Sequence, residues 1–308
     1  MLPAPFRDDL AVGPDGGSAY WIEAIDGMRT RVGVWPKGKK GTVLIFPGRT
    51  EYIEKYGNAA AEFSKMGYPV CAIDWRGQGI ADRALTNRKI GHINKFTDFQ
   101  QDVEAYMRAV KMMRLPEPYY LVAHSMGGCI GLRALNEGLP VAKAMFSAPM
   151  WGIKFTPPMR QVAWTISTLA SHLPVRFRRS PTTDEDSDLF HGEFEANCLT
   201  TDEVMWNYMC RQVQAVPDFN VGGPSIQWLY EALREMNALF RMESPDYPTL
   251  TYLGTDEDVV DPTRIHERMG RWSNGELVLI EDARHEIMME TSATRRRFFE
   301  HAGDFFTP

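Results

Sequence analysis

The amino-acid sequence predicts an α/β fold: a mostly parallel sheet of eight strands with helices on both faces and a helical insertion after the sixth strand. Three observations lead to this prediction. Short apolar runs alternate with helical patterns, several of these runs are apolar throughout, and the alternation stops over one long segment before it resumes. Strands that are apolar on both sides are typical of a parallel sheet buried between two layers of helices.

The predicted strands begin with a hairpin, because two β-rich runs flank Asp26-Gly27, a strong turn signal. Helical patterns at 54–66 and 96–113 then separate continuous apolar runs, as expected of strand–helix–strand units. The eight predicted strands lie at 20–24, 29–35, 42–46, 69–73, 119–122, 144–146, 249–253 and 276–280.

Residues 1–150 and 243–308 are predicted to form this core, and residues 151–242 to form a helical cap inserted into it. The insertion is rich in Trp, Met and charged residues and has no strand rhythm. Its aromatic side chains are expected either to line an apolar ligand pocket or to form a small core of their own. Half of the eight tryptophans lie there, namely Trp151, Trp164, Trp206 and Trp228.

Composition narrows the class of protein. A net charge of −6 argues against nucleic acid as a partner. The four cysteines have the spacing of neither a metal site nor a disulfide scaffold, and no metal or cofactor is expected. The N-terminus lacks the basic start and apolar stretch of a signal peptide, and no apolar run is as long as a membrane span. We therefore expect a cytoplasmic protein; the sequence carries no signal for an oligomeric state.

The most informative segment is Ala123-His124-Ser125-Met126-Gly127-Gly128, which follows a predicted strand and opens a predicted helix. A tight strand–Ser–helix turn needs small neighbours and raises the hydroxyl above the edge of the sheet. It also places the next backbone N–H, that of Met126, at a helix N-terminus, where it can stabilise an oxyanion. Ser125 is therefore the candidate nucleophile.

A nucleophilic serine needs a base, and the base needs an orienting acid. Among the seven histidines, His285 is best placed, because it follows the last predicted strand by a short loop. His124 adjoins Ser125, but its side chain is expected to point away from the serine. The acid is expected after the seventh strand, where four acids are candidates: Asp256, Glu257, Asp258 and Asp261.

Four blocks of the chain together resemble the α/β-hydrolases of the lysophospholipase and monoacylglycerol lipase group, bacterial lysophospholipases in particular. The blocks have the order and spacing found in this group, and the similarity extends over nearly the whole chain. The blocks are Phe46–Tyr56, Asp74–Gly79 with the pattern D-x-R-G-x-G, the serine hexapeptide, and Ala283–Glu286.

The resemblance implies which acid acts. In the family the acid lies three residues after the glycine that ends the seventh strand and two before a Val-Val or Ile-Val pair. Counting forward from Gly254 and back from Val259, both rules reach Glu257. Asp256 and Asp258 stay as alternatives.

The resemblance also implies an oxyanion hole and a reaction. The backbone N–H of Arg49, in a loop where Pro-Gly replaces the commoner His-Gly, would act together with that of Met126. The expected function is hydrolysis of a carboxylic ester of a single-chain lipid, a lysophospholipid or a monoacylglycerol, through an acyl-enzyme. The alternatives on the same scaffold are a short-chain carboxylesterase, a thioesterase, a peptidase or an acyltransferase, and, in a different class, a non-catalytic ligand-binding module.

One charge asymmetry stands out in the insertion. Residues 151–183 hold five basic residues and no acid, and four acids follow directly. The stretch is either an amphipathic element that contacts an anionic inner membrane surface, a rim that binds a phosphate headgroup, or a packed helix neutralised by those acids. The basic residues are Lys154, Arg160, Arg176, Arg178 and Arg179; the acids are Asp184, Glu185, Asp186 and Asp188.

Overall fold

The computed structural model of the chain describes residues 1–170, 173–181 and 193–307, apart from the side chains of 157–160, 162 and 166. Within these residues it contains one nine-stranded sheet in the order β1-β2-β3-β5-β4-β6-β7-β8-β9. The strands are β1 (Leu2–Pro3), β2 (Ser18–Glu23), β3 (Arg29–Trp35), β4 (Thr42–Phe46), β5 (Val70–Asp74), β6 (Tyr119–His124), β7 (Lys143–Ser147), β8 (Thr249–Gly254) and β9 (Gly275–Ile280).

The α/β prediction is confirmed, with one strand more than the eight expected. From β5 across β4 to β9 every neighbouring pair is parallel, whereas β1, β2 and β3 pair antiparallel at one edge. The extra strand β1 has two exposed residues, too few for any hydrophobic period to indicate it.

Helices lie on both faces of the sheet. Leu44 belongs to a core that includes residues of α3 and α4, whereas Val43 and Ile45 belong to a second core with residues of α2 and α9. Alternation along β4 therefore places two cores on opposite faces of the sheet. The helices are α1 (Asp8–Ala11), α2 (Gly57–Lys65), α3 (Phe99–Met112), α4 (Ser125–Asn136), α5 (Pro157–Ala170), α6 (Glu203–Ala215), α7 (Ile226–Arg241), α8 (Pro262–Met269) and α9 (Ser292–Phe306).

Both helices predicted before β6 are shorter than expected, because each begins with a separate 3₁₀ turn, at Ile53–Tyr56 and at Phe96–Asp98. Further 3₁₀ turns lie at Pro174–Phe177, Phe194–Ala196, Pro217–Phe219 and Ile287–Met289. No helix within the described residues has the length and apolar character required to cross a bilayer.

The parallel strands determine where a site can form. β4, β6, β8 and β9 run in the same direction, so the loops after Phe46, His124, Gly254 and Ile280 leave the sheet at one edge. Helices α5, α6 and α7 lie in the chain between β7 and β8, and Trp228 of α7 shares a core with residues of α3 and α4. The loops of this edge carry the sequence-predicted site residues.

Candidate active site

Ser125 stands at the junction of β6 and α4 with a φ of +48°. The backbone of a residue other than glycine rarely adopts this left-handed region, so the turn stores strain. Its two glycines have no room for a side chain. A Cβ on Gly127 would lie 2.0 Å from the carbonyl oxygen of Phe46, and one on Gly128 would lie 2.5 Å from Cβ of Pro149. The close approach that the hexapeptide predicts is therefore present.

His285 and Glu257 form a buried hydrogen-bonded pair. Nδ1 of His285 lies 2.8 Å from Oε2 of Glu257. The other carboxylate oxygen accepts the backbone N–H groups of Val259, at 2.7 Å, and Val260, at 3.0 Å. Burial raises the pKa of Glu257, but the neighbouring His285 and these amides more than offset that effect, and the pKa is lowered. An ionised Glu257 requires His285 to carry its proton on Nδ1, which leaves Nε2 free to act as a base.

The other acids of the run face elsewhere. Asp258 is exposed and pairs with Nζ of Lys154 at 2.6 Å. Asp256 is exposed, and Asp261 accepts the backbone N–H of Thr263 at the start of α8. Within the described residues, Glu257 is thus the acid of this run that contacts His285.

The loop after β4 is held in an unusual conformation next to Ser125. Thr50 has a φ of +64°, and its N–H donates to Oε1 of Gln78 at 2.7 Å. Glu51 accepts the N–H of Gly48 on the other side. Between them, the N–H of Arg49 has no partner among the residues that the structure describes. Met126, near the start of α4, also has no intrahelical acceptor for its N–H, so both groups are available to an oxyanion.

Ser125 and His285 line one cavity of about 280 Å³. A second cavity of about 540 Å³ lies beside it, and Ile153 and Phe155 line both. The wall of the first cavity is largely apolar: Met150, Ile153, Phe155, Leu199, Trp228 and Leu229. Such a lining favours a ligand with a hydrocarbon part.

A buried cluster of charged groups lies at this cavity and includes Glu51, Lys55, His124 and Glu286. Nζ of Lys55 lies 2.6 Å from a carboxylate oxygen of each glutamate. Nε2 of His124 lies 3.5 Å from Glu51 and 3.4 Å from Glu286, and its Nδ1 donates to the carbonyl of Ser147 at 2.9 Å. Since both ring nitrogens of His124 face acceptors, the contacts favour the imidazolium form, in which the two positive and two negative charges of the cluster cancel.

The pKa shifts follow from these contacts. Burial lowers the pKa of Lys55, but Glu286 and Glu51 outweigh it, so the pKa is raised. The balance is the same for His124, whose pKa is also raised. Burial raises the pKa of Glu286, yet His124 and Lys55 hold it well below its usual value.

The same cluster is the candidate metal site among the described residues. Glu51, His124 and Glu286 offer ligand atoms that lie within 4.8 Å of one another. Since the Lys55 ammonium bridges both carboxylates, the cluster already has its cation. The donor set therefore does not fit a metal.

Sequence reasoning missed this cluster. The ring centroid of His124 lies 4.7 Å from that of His285, and its side chain lines the cavity. Two signals were available, the i,i+4 pair Glu51–Lys55 and an acid directly after His285. Neither reveals that the loops after β4 and β9 meet at the end of β6.

The basic stretch of the insertion is only partly described. Lys154 pairs with Asp258, Arg176 stacks on the ring of Phe177 at 4.7 Å, and the side chain of Arg160 lies outside the described residues. The acids that could neutralise the stretch also lie outside them: Asp184, Glu185, Asp186 and Asp188.

Fold and site together define the class: an α/β-hydrolase with a serine at the turn between strand and helix and a histidine–glutamate pair at the same edge of the sheet. A family model described as "Serine aminopeptidase, S33" matches residues 37–292, and the chain belongs to this family. This match and the lysophospholipase relatives of the chain together confirm the resemblance that the four sequence blocks indicate.

Relatives that match this chain are named as enzymes that act on lipids. Lysophospholipase L2 of Escherichia coli (strain K12) is 30% identical over 277 residues, which cover 86% of this chain and 79% of the relative. A probable lysophospholipase L2 of Haemophilus influenzae is 27% identical over 85% of this chain and 82% of its own length. A soluble variant of the monoglyceride lipase of Saccharomyces cerevisiae superposes with a TM-score of 0.70 at 20% identity over 92% of this chain and 93% of its own.

Proposed function

We propose that the protein hydrolyses a carboxylic ester of a single-chain lipid, a lysophospholipid or a monoacylglycerol, with Ser125 as nucleophile. His285 accepts the proton of the Ser125 hydroxyl as it attacks the ester carbonyl, and Glu257 holds the imidazole and stabilises the imidazolium. The N–H groups of Arg49 and Met126 bind the oxyanion. The protonated His285 then gives its proton to the leaving alcohol, and water hydrolyses the acyl-enzyme.

One observation carries this proposal: Ser125 and His285 line a largely apolar cavity that adjoins a second one. The first cavity alone lies near the lower limit of about 300 Å³ for ligand sites, and the second extends the available space. The second lies against α5 and α7 of the 151–242 segment, which we infer to be the substrate-selecting cap. The names of the relatives point to the same substrate class.

Labelling with a fluorophosphonate tests the nucleophile. Wild-type protein is expected to label, and Ser125→Ala to lose the label and at least about a thousandfold of its turnover. Ser292→Ala, at an exposed serine, serves as the matched control and is expected to behave as wild type. Equal labelling of Ser125→Ala would refute the assignment, and a wild type that neither labels nor turns over would indicate a non-catalytic module.

A substrate panel tests the chemistry. We expect C8–C16 monoacylglycerols and lysophospholipids to be turned over faster than acetyl esters, because the longer chains fill the apolar cavity. The panel includes acyl thioesters and aminoacyl anilides, and transfer of acyl groups to alcohols is followed in parallel. Preference for any of these alternatives, or for acetyl esters, would contradict the lipid-ester proposal.

We also infer that the protein is cytoplasmic and contacts an anionic membrane surface through α5 and the 3₁₀ turn after it. Leu169, Leu173 and Phe177 are 67%, 54% and 37% exposed, and Arg178 is exposed beside them. Trp164, also exposed, lines the larger cavity, so the patch adjoins the route to the site. Exposed apolar residues beside an arginine are typical of elements that insert at the headgroup level.

Sedimentation with phosphatidylglycerol–phosphatidylethanolamine vesicles measures this contact. Leu169→Glu/Leu173→Glu is expected to weaken partitioning about tenfold or more, because two leucines no longer leave water. The control Ile25→Glu/Val204→Glu changes two residues that are still more exposed, at 82% and 73%, but lie outside the patch. Equal effects of the two variants, or binding that no salt concentration alters, would contradict the inference.

A further inference from the structure

The guanidinium of Arg49 has no counter-charge in the active-site cavity. Nη1 donates to the carbonyl of Gly222 at 2.8 Å, and the group lies 5.7 Å from the ring centroid of Trp228. Within the described residues no carboxylate forms an ion pair with it. A guanidinium carries five N–H donors, so most of its donors are left for a ligand.

The carboxylates around the cavity already have partners of their own. Glu51 and Glu286 share Lys55 and His124, and Glu257 holds His285. Burial lowers the pKa of Arg49 to about 10, so the group is still charged at neutral pH. A partly desolvated cation without a counter-charge raises the free energy of the empty site, and an anionic ligand group would relieve that cost.

We propose that the Arg49 side chain binds the phosphate of a single-chain phospholipid while its own backbone N–H contacts the ester oxyanion. This assignment rests on the ester hydrolysis proposed above. It makes lysophospholipids, rather than monoacylglycerols, the preferred substrates. A planar guanidinium forms bidentate hydrogen bonds with phosphate oxygens, which makes arginine a common choice for this anion.

The covalent distances are compatible with both contacts at once. In a 1-acyl glycerophospholipid about six bonds separate the ester carbonyl carbon from phosphorus, and about six bonds separate the backbone nitrogen of an arginine from its Cζ. One residue can therefore reach both groups of one substrate. The apolar walls that include Met150 and Leu229 are left for the acyl chain.

A structural alternative assigns Arg49 only to the contact with Gly222, which joins the loop after β4 to the segment before α7. The two roles predict different kinetics. Loss of a link between loop and segment lowers the turnover of every substrate, whereas loss of a phosphate contact acts through the substrates that carry phosphate and raises their KM.

The test compares kcat/KM for 1-palmitoyl-lysophosphatidylcholine and for 1-palmitoylglycerol in the same variant. Arg49→Gln removes the charge and keeps a polar side chain. The variant is expected to lower the ratio of kcat/KM for the phospholipid to kcat/KM for the monoacylglycerol about tenfold to a hundredfold. Most of this change is expected to come from a higher KM for the phospholipid. Arg49→Lys is expected to recover part of the ratio, since it keeps the charge but not the bidentate geometry. Arg88→Gln removes an exposed charge, paired with Asp218 at 3.6 Å, and is expected to leave the ratio at the wild-type value.

An unchanged ratio in Arg49→Gln, with both substrates slowed alike, would overturn the proposal in favour of the structural role. A wild type that prefers the monoacylglycerol would overturn it as well. Neither outcome affects the ester hydrolysis itself, which fails separately if the wild type turns over neither lipid.

Discussion

At the scale of single residues, the contact between Glu257 and His285 shows what motif spacing can predict. The spacing from Gly254 and from Val259 reaches Glu257, and the structure gives a physical reason for that spacing. The amides of Val259 and Val260 hold one carboxylate oxygen, so the other is directed at His285. Position after the seventh predicted strand alone leaves four acids as candidates, because a sequence does not distinguish exposed from buried carboxylates.

Substitution of each acid by its amide distinguishes these candidates. We expect Glu257→Gln to lower kcat at least about a hundredfold, because an amide neither fixes the Nδ1–H tautomer of His285 nor stabilises its cation. Asp256→Asn and Asp258→Asn change exposed groups and are expected to stay within about threefold of wild type. Steady-state kinetics on one ester measures all three. If Asp256→Asn were the slowest, Glu257 would not be the acid.

At the scale of elements, continuous apolar runs predict the strands well, since a strand buried on both faces has little freedom in composition. Helix starts are less predictable. The hydrophobic pattern predicts that the helix before β5 begins at residue 54. In the structure the first turn is a 3₁₀ turn, and α2 begins at Gly57. A Cβ on Gly57 would lie 1.8 Å from the carbonyl oxygen of Ala11. That contact spans a long stretch of chain, so no local pattern contains it.

The D-x-R-G-x-G block shows how an element can serve a site without touching the substrate. Gln78 of this turn accepts the N–H of Thr50, and Asp74 accepts the N–H of Ile53 at 2.8 Å. Gly79, with a φ of +50°, has no room for a Cβ beside Asp74. The turn thus holds the loop that carries Arg49, a role that the motif alone does not indicate.

At the scale of the whole molecule, the cluster of Glu51, Lys55, His124 and Glu286 joins three segments that are far apart in the chain: those that follow β4 and β9, and the end of β6. Its parts titrate at different pH values. The contribution of Glu286 to the free energy of unfolding is present above pH 4.5 and is lost as the pH falls through its lowered pKa. The contribution of Lys55 is present below pH 10.5 and is lost as the pH rises through its raised pKa. The contribution of His124 is complete below pH 6.5 and lost as the pH rises through its raised pKa. Such long-range pairing could not be predicted from the sequence, because it depends on which strand ends meet at the edge of the sheet.

Removal of the central cation tests how much the cluster stabilises the protein. Lys55→Met leaves two buried carboxylates with one imidazolium, so we expect the free energy of unfolding to fall by about 3–5 kcal/mol at neutral pH. The loss is expected to shrink as the pH is lowered, since protonation of a carboxylate removes the unpaired charge. Lys55→Met/Glu286→Gln balances the charges again and is expected to recover part of the stability. The control Lys65→Met breaks an exposed pair with Glu62 and is expected to change the free energy by less than about 0.5 kcal/mol. Urea unfolding of the four proteins measures each value, and similar losses in Lys55→Met and Lys65→Met would show that the cluster does not hold the three segments together.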